Sequence, residues 1–233
     1  MGKAIVLSSG GVDSTTCVSL AVKELGAENV TTVSVFYGQK HSKELECAEK
    51  VANFYGVDHR VIDLSKTHIM DDSNCPLLNN STADIPEMSY AEQIEKNGEG
   101  MVSTYVPFRN GLLLASVAAL AMSLYPEDTV DIYLGAHADD AAGEAYADCS
   151  PAFTDAMDLA IGIGTYGKVH LKAPLVHLNK ADVVKLGLEL GTPYHLTWSC
   201  YKGGEKPCGK CGTCIDRANA FKANGVEDPA LGG

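Results

Sequence analysis

The chain has 233 residues, with 18 Lys and Arg against 30 Asp and Glu, so its formal net charge is −12. Its apolar fraction of 45% and charged fraction of 21% are typical of globular proteins and exclude wholesale disorder. No run of about eighteen apolar residues occurs, which excludes a membrane span, and so acidic a chain repels phosphate backbones, which argues against a nucleic-acid partner.

Strand-like and helix-like segments alternate along the first third of the chain. The predicted strands cover residues 4–8, 30–36 and 59–64, and the predicted helices between them cover residues 14–25 and 42–55. Alternation of this kind is typical of a parallel sheet with helices on its faces.

Residues 65–105 interrupt the alternation with prolines, paired asparagines and glycines, which predicts a long insertion that covers a site. The pattern resumes with a buried helix over 110–124, strands over 130–135 and 169–173, and a helix over 179–190. We therefore predict an α/β fold, a Rossmann-like doubly wound parallel sheet. We assign residues 1–195 to this domain and residues 196–233 to a small Cys-rich segment packed on it.

The loop after the first predicted strand has the composition of a phosphate-binding loop. It comprises Ser8, Ser9, Gly10, Gly11, Val12, Asp13, Ser14 and Thr15. Adjacent glycines let consecutive backbone N–H groups point into one concavity, and a helix N-terminus adds partial positive charge. The loop lacks the Gly-Lys-Ser/Thr ending that serves γ-phosphate transfer. We predict that it binds the phosphates of ATP; the alternative is a glycine-rich turn with a Ser or Asp helix cap.

Four later segments extend the pattern, and three of them lie at the end of a predicted strand or the start of a predicted helix. They are Tyr37-Gly38-Gln39-Lys40-His41, Val106-Pro107-Phe108-Arg109-Asn110, Tyr146-Ala147-Asp148-Cys149 and Leu178-Asn179-Lys180. The phosphate loop resembles the signature of the N-type ATP pyrophosphatases (the PP-loop superfamily). Together with these segments the chain is similar to the QueC family of that superfamily, in which a proline usually stands at the position of Ala147.

The resemblance implies an ATP-dependent carbon–nitrogen ligase of queuosine biosynthesis. Such an enzyme converts 7-carboxy-7-deazaguanine and ammonia into 7-cyano-7-deazaguanine through an acyl-adenylate and an amide, releasing AMP and pyrophosphate. It also implies ATP and Mg²⁺ as cofactors, and a homodimer.

Three candidate catalytic residues follow the predicted strands or begin the predicted helices. Arg109 offers a planar fork suited to a carboxylate or phosphate, with a surface or helix-capping role as the alternative. Lys180 follows a helix-starting Asn and could lie near an anion or in solvent. Asp140 lies at the carboxyl end of a strand, where such sheets bind ligands, and it or Asp139 could ligate Mg²⁺.

Aromatic and amide side chains near the predicted loop are candidates for holding the two ligands. By resemblance we assign Tyr37 and Gln39 to the nucleotide. A flat base needs an aromatic or apolar slot with a few polar contacts, and Tyr37, Phe108 and Tyr146 are candidates for it. Simple packing is the alternative for each.

The cysteines divide into a scattered set and a cluster. The scattered set, Cys17, Cys47, Cys75 and Cys149, is expected to be buried as small hydrophobic residues. The cluster comprises Cys200, Cys208, Cys211 and Cys214. The first residues lack the pattern of a secretory signal, so we expect a reducing, cytoplasmic location, where such clusters bind metal. Four thiolates close a tetrahedral shell, so we predict structural Zn²⁺; an iron–sulfur cluster or a redox dithiol is the alternative.

Three other functions are open. A QueC-like enzyme could pass the adenylated acid to an amine on a protein or another molecule instead of ammonia. A PP-loop tRNA thiolase would need a persulfide-bearing cysteine, for which only Cys149 is well placed. A non-enzymatic zinc module that binds nucleic acid would leave the phosphate loop unexplained.

Overall fold

The computed structural model describes residues 2–98 and 100–231, which form a five-stranded parallel sheet in the order β3-β2-β1-β4-β5. The strands are β1 (Lys3–Leu7), β2 (Val30–Phe36), β3 (Asp58–Asp63), β4 (Val130–Tyr133) and β5 (Val169–Lys172). The helices are α1 (Val12–Leu25), α2 (Lys43–Tyr55), α3 (Tyr90–Asn97), α4 (Arg109–Leu124), α5 (Ala138–Ala141), α6 (Pro151–Gly164), α7 (Lys180–Leu190) and α8 (Gly212–Ala223). The predicted α/β sheet is confirmed.

Two apolar layers cover the sheet. Side chains of α1, α2, α7 and α8 pack with Val6 and Tyr133 on one face. Side chains of α4 and α6 pack with Ile5 and Ile132 on the other. Because alternate residues of a strand point to opposite faces, a strand covered on both sides is apolar at every position, as in residues 4–7 of β1.

The predicted elements agree with the structure within two residues at most boundaries, but four helices were not predicted. They are α3 inside the insertion, the short α5, α6 and α8. Signals for two of them are present in the sequence: Ser89 and Glu92 form a capping box at α3, and Ser150 caps α6 with Pro151 in its first turn. The composition of α4 predicted a fully buried helix, but Ala115 and Ala119 are exposed, so only one side is in the core.

The order in which strands are added to the sheet reverses at β1, because β2 lies on one side of β1 and β4 lies on the other. In open parallel sheets ligands bind at such a switch point, outside the carboxyl ends of the strands. The boundary between the two predicted segments at residue 195 stays a prediction. Residues 1, 99, 232 and 233 belong to these predicted segments and lie outside the described residues. In the part of the chain that is described, no helix combines the length and apolar character needed to cross a membrane.

Candidate active site at the carboxyl ends of the strands

A cavity of about 240 Å³ lies at the carboxyl ends of the central strands. Its walls come from the loops after β1, β2 and β4, from the first turns of α2, α4 and α7, and from the cysteine-rich segment with α8. The insertion contributes Tyr90 of α3. Segments that are far apart in sequence therefore meet at the switch point of the sheet.

The loop between β1 and α1 lines this cavity and has an open helix N-terminus. The Ser9 backbone N–H donates to the Ser14 hydroxyl at 3.1 Å, and the Gly11 N–H lies 3.3 Å from the Ser9 hydroxyl. Among the described residues no side chain caps α1, whose first residue is Val12. Free N–H groups at a helix start, with two hydroxyls beside them, suit an anion.

Gly10 is required by close packing rather than by ligand access. Its φ is +77°, and a Cβ there would lie 2.3 Å from the Glu44 carbonyl oxygen and 2.6 Å from the Ala48 nitrogen. On the other side, a Cβ on Gly135 would lie 3.0 Å from Asp13 and Ser14 backbone atoms. The loop is thus held between α2 and the segment after β4.

The predicted loop residues divide by position. Ser8, Ser9, Gly11, Val12, Asp13 and Ser14 line the cavity. Gly10 and Thr15 do not, and Thr15 is fully buried. The prediction that Thr15 contacts the nucleotide therefore needs correction, since the first turn of α1 directs this residue into the core.

Lys180 and Asp13 form the central ion pair of the cavity. The Lys180 ammonium lies 2.6 and 2.7 Å from the two Asp13 carboxylate oxygens and 3.3 Å from His137 Nε2. Burial raises the pKa of Asp13, but the attraction of Lys180 and His137 and the hydrogen bonds to the carboxylate together outweigh it, so the net shift is downward. The anion near Lys180 in the free protein is therefore this carboxylate.

The two aspartates after β4 have different positions. Asp139 Oδ2 accepts a hydrogen bond from the Lys180 backbone N–H at 2.7 Å and so caps α7. Asp140 Oδ2 lies 3.3 Å from His137 Nε2, and burial raises its pKa against the opposing effects of His137 and Lys180. Asp140 is thus the carboxylate with oxygens available near the phosphate loop.

Asp216 of α8 also lines the cavity, and no sequence pattern singled it out. Burial raises the pKa of Asp216 to about 6. Repulsion by Asp139 and Asp140 adds to this shift, and the attraction of Lys180 opposes it. The cysteine-rich segment therefore adds a carboxyl group to the same space.

Arg109 enters the cavity from the start of α4, held by an unusual turn. Phe108 has φ +49°, and its ring occupies the space where Gly111 would carry a Cβ, 2.3 Å away. The Asn110 N–H donates to Asp148 Oδ2 at 2.9 Å, so Asp148 binds the helix start. This hydrogen bond joins the segment of residues 106–110 to the segment of residues 146–149, and Arg109 lines the cavity.

Phe108 itself is 58% exposed and outside the cavity, so it cannot help form a base slot there. Tyr146 and Tyr37 do line the cavity, and so do Tyr90 and Tyr201, which sequence reasoning missed. The Tyr90 and Tyr201 hydroxyls are hydrogen-bonded, and the Tyr90 and Tyr146 rings meet edge to face at 5.6 Å.

Gln39 lines the cavity but uses its amide to shape its own loop. Its Oε1 accepts from the Tyr37 N–H at 2.9 Å, and its Nε2 donates to the Val35 carbonyl at 3.2 Å. His41 lies against Gly203, where a Cβ would be 2.5 Å from the ring. This segment thus connects β2 to the cysteine-rich segment.

The clustered cysteines fit a metal ion. The sulfur atoms of Cys200, Cys208, Cys211 and Cys214 all lie within 4.8 Å of one another. Hydrogen bonding from Cys200, followed by that from Cys214, lowers the pKa of Cys211, which favours the thiolate form that binds metals. The scattered cysteines are buried, as predicted.

The chain is similar to known proteins along nearly its whole length. The family model described as Queuosine biosynthesis protein QueC matches residues 3–225. The 7-cyano-7-deazaguanine synthase of Caldicellulosiruptor saccharolyticus is 44% identical, covering 97% of this chain and 94% of that protein. The synthases of Archaeoglobus fulgidus and Pseudoalteromonas atlantica are 40% and 42% identical, covering 98% and 97% of this chain and 90% and 97% of those proteins.

Proposed function

The chain belongs to the QueC family, and we propose that it is an ATP-dependent ligase that converts 7-carboxy-7-deazaguanine and ammonia into 7-cyano-7-deazaguanine, releasing AMP and pyrophosphate. The observation that carries this proposal is the loop of residues 8–14. It presents free N–H groups and two hydroxyls to a cavity that also holds Lys180 and Arg109. The loop lacks the P-loop lysine that serves γ-phosphate transfer, and its resemblance to the PP-loop signature supports pyrophosphate as the leaving group.

The first half-reaction needs cationic groups where charge increases. A carboxylate is a poor electrophile, so one of its oxygens attacks the α-phosphorus of ATP, and pyrophosphate departs into the loop of residues 8–14. Arg109 and Lys180 offset the charge that grows on the phosphates, a contribution of about 3 kcal/mol per well-placed group. Lys180 must share or leave its contact with Asp13 to do so.

Ammonia then attacks the acyl carbon of the adenylate, AMP leaves, and the product is an amide plus a proton. The amide oxygen attacks a second ATP and again releases pyrophosphate. Loss of AMP and a proton from that intermediate gives the nitrile. The same phosphate loop and the same cations serve both adenylations, so one cavity is sufficient.

We propose that the four clustered cysteines hold one structural Zn²⁺, because four converging sulfur atoms leave no open position for a substrate. For Mg²⁺, the Asp140 carboxylate is the proposed ligand, since its oxygens lie in the cavity beside the phosphate loop. Bound there, Mg²⁺ would neutralise phosphate charge. The homodimer and the cytoplasmic location stay predictions.

A thiolase reaction is disfavoured at this site. Burial raises the pKa of Cys149, and repulsion by Asp140 adds to the effect, so the thiol is held in its protonated form. Sulfur transfer needs a thiolate or persulfide. Transfer of the activated acid to an amine on another molecule is the alternative that the product assay separates.

The test is a product analysis by mass spectrometry with the deazaguanine acid, ATP, Mg²⁺ and ammonium. We expect AMP, pyrophosphate and the nitrile. ADP and orthophosphate as primary products would contradict the loop assignment, and AMP without nitrile would favour an amine acceptor. Metal analysis of the same preparation should give one zinc per chain. An active preparation without zinc would contradict the proposed structural ion.

A further inference from the structure

Among the charged side chains that face the cavity without an ion-pair partner are one from α2 and one from α4. They are Glu44, in the first turn of α2, and Arg109, at the start of α4; with Tyr37 we call them the Glu44 region. Among residues 2–98 and 100–231, no carboxylate lies within 4.0 Å of the Arg109 guanidinium. In the same part of the chain, the Glu44 carboxylate has no hydrogen bond or ion pair.

The two groups are near each other but are not joined. Arg109 attracts the Glu44 carboxylate, yet burial dominates and raises the pKa of Glu44 to about 7. A partly desolvated carboxylate without protein donors gains from a ligand that supplies them. Arg109 and Glu44 share one cavity without pairing. Such a cavity suits a ligand whose acidic end meets the cation and whose hydrogen-bond donors meet the carboxylate.

The backbone of Glu44 is rigidly placed. Its carbonyl oxygen lies against Gly10, where even a Cβ would approach to 2.3 Å, so α2 is packed directly on the phosphate loop. The backbone of Glu44 therefore keeps a fixed position relative to the phosphate loop. A group on a helix of the scaffold positions a ligand more precisely than one on a free loop.

The chemistry of a carboxylate limits what it can recognise. An ionised carboxylate only accepts hydrogen bonds, and its two oxygens match two adjacent N–H donors. A guanine-type ring has such an edge, formed by N1–H and the 2-amino group. The adenine ring of ATP offers only its 6-amino group as a donor.

We propose that Glu44 is the specificity residue for the base: its carboxylate accepts hydrogen bonds from N1–H and the 2-amino group of the guanine-type ring. This assignment rests on the proposed function, since it names the part of that substrate that the site recognises. The acid group at the other end of the substrate then faces the cations of the same cavity. Rings that lack the 2-amino group leave one carboxylate oxygen unpaired and are rejected.

The experiment measures acid-dependent ATP–pyrophosphate exchange without ammonia. It compares 7-carboxy-7-deazaguanine with its analogue lacking the 2-amino group, for wild type and Glu44→Gln. We expect wild type to prefer the amino compound. In Glu44→Gln, KM for that compound should rise on the order of 10- to 100-fold, the preference should fall towards one, and KM for ATP should change by less than about twofold.

Matched variants separate recognition from folding. Glu46→Gln changes an exposed residue of the same helix and should leave both KM values unaltered. Glu44→Asp keeps the carboxylate and should retain the preference with weaker binding, so it answers the question even if Glu44→Gln does not fold.

The outcomes distinguish a failure of the proposed function from a failure of the Glu44 assignment alone. If wild type gives no exchange with the acid, the proposed function fails and the role of Glu44 fails with it. If wild type is active but Glu44→Gln keeps the same KM and preference, only the Glu44 assignment is wrong. A rise in KM for ATP alone would assign Glu44 to adenine and overturn the proposal.

Discussion

In the phosphate-loop region of the cavity (Ser9, Asp13, Ser14 and Lys180), the Lys180 ammonium lies 2.6 Å from Asp13, whereas in the Glu44 region the two charged groups have no ion pair within the described residues. The charges of the phosphate-loop region are therefore paired before any ligand arrives, and those of the Glu44 region are not. A paired region can bind ligands of high charge by exchanging partners. An unpaired region gains most from a ligand whose hydrogen-bonding groups match it.

The largest expected effect comes from breaking the ion pair of the phosphate-loop region. Lys180→Ala leaves Asp13 unpaired beside the site of the phosphates and removes a cation from it, so it should lower kcat/KM for ATP by about 100- to 1,000-fold. Steady-state kinetics would measure this. Lys185→Ala, on the exposed side of the same helix, is the control, and an equal loss there would contradict a local role for Lys180.

The sequence predicted the phosphate loop, Tyr37 and Arg109, but it missed other residues that line the cavity. The phosphate loop is a contiguous string, so strand, glycines and helix start could be recognised together, and most of its residues do line the cavity. Glu44, Tyr201 and Asp216 were missed, because what brings them to the site is the packing of α2 and the cysteine-rich segment. Packing between distant segments leaves no local pattern, whereas the sheet was predictable from apolar strands at regular intervals.

The second prediction tests whether the two regions are mechanically joined at Gly10. Gly10→Ala places a methyl group 2.3 Å from the Glu44 carbonyl oxygen and keeps a φ of +77°. Overpacking and backbone strain should together destabilise the protein by about 3 kcal/mol. Urea unfolding would measure the loss.

The matched control is Gly38→Ala, which has φ +99° but no atom within 4 Å of the added methyl group. Strain alone should cost it about 1 kcal/mol. If the two variants lost equal stability, close packing of the phosphate loop on α2 would not be what requires glycine at position 10.

The smallest expected effect tests the energetic cost of leaving Glu44 unpaired. Burial raises its pKa from 4.5 in the unfolded chain to about 7, so the folded protein binds more protons between these values and loses stability as the pH rises through them. Glu44→Gln removes this loss. Its advantage over wild type should therefore grow by roughly 2 kcal/mol from about pH 5.5 to about pH 8.5.

Urea unfolding of both proteins at the two pH values measures that difference, with Glu46→Gln as the exposed control on α2. A pH-independent difference would mean that the Glu44 carboxylate already has partners, and the contrast between the two regions would be lost. If the difference grows as expected, the substitution that weakens recognition of the base also stabilises the free protein. Such opposite effects are expected of a group kept unpaired for its ligand, because the folded chain bears a cost that only the ligand offsets.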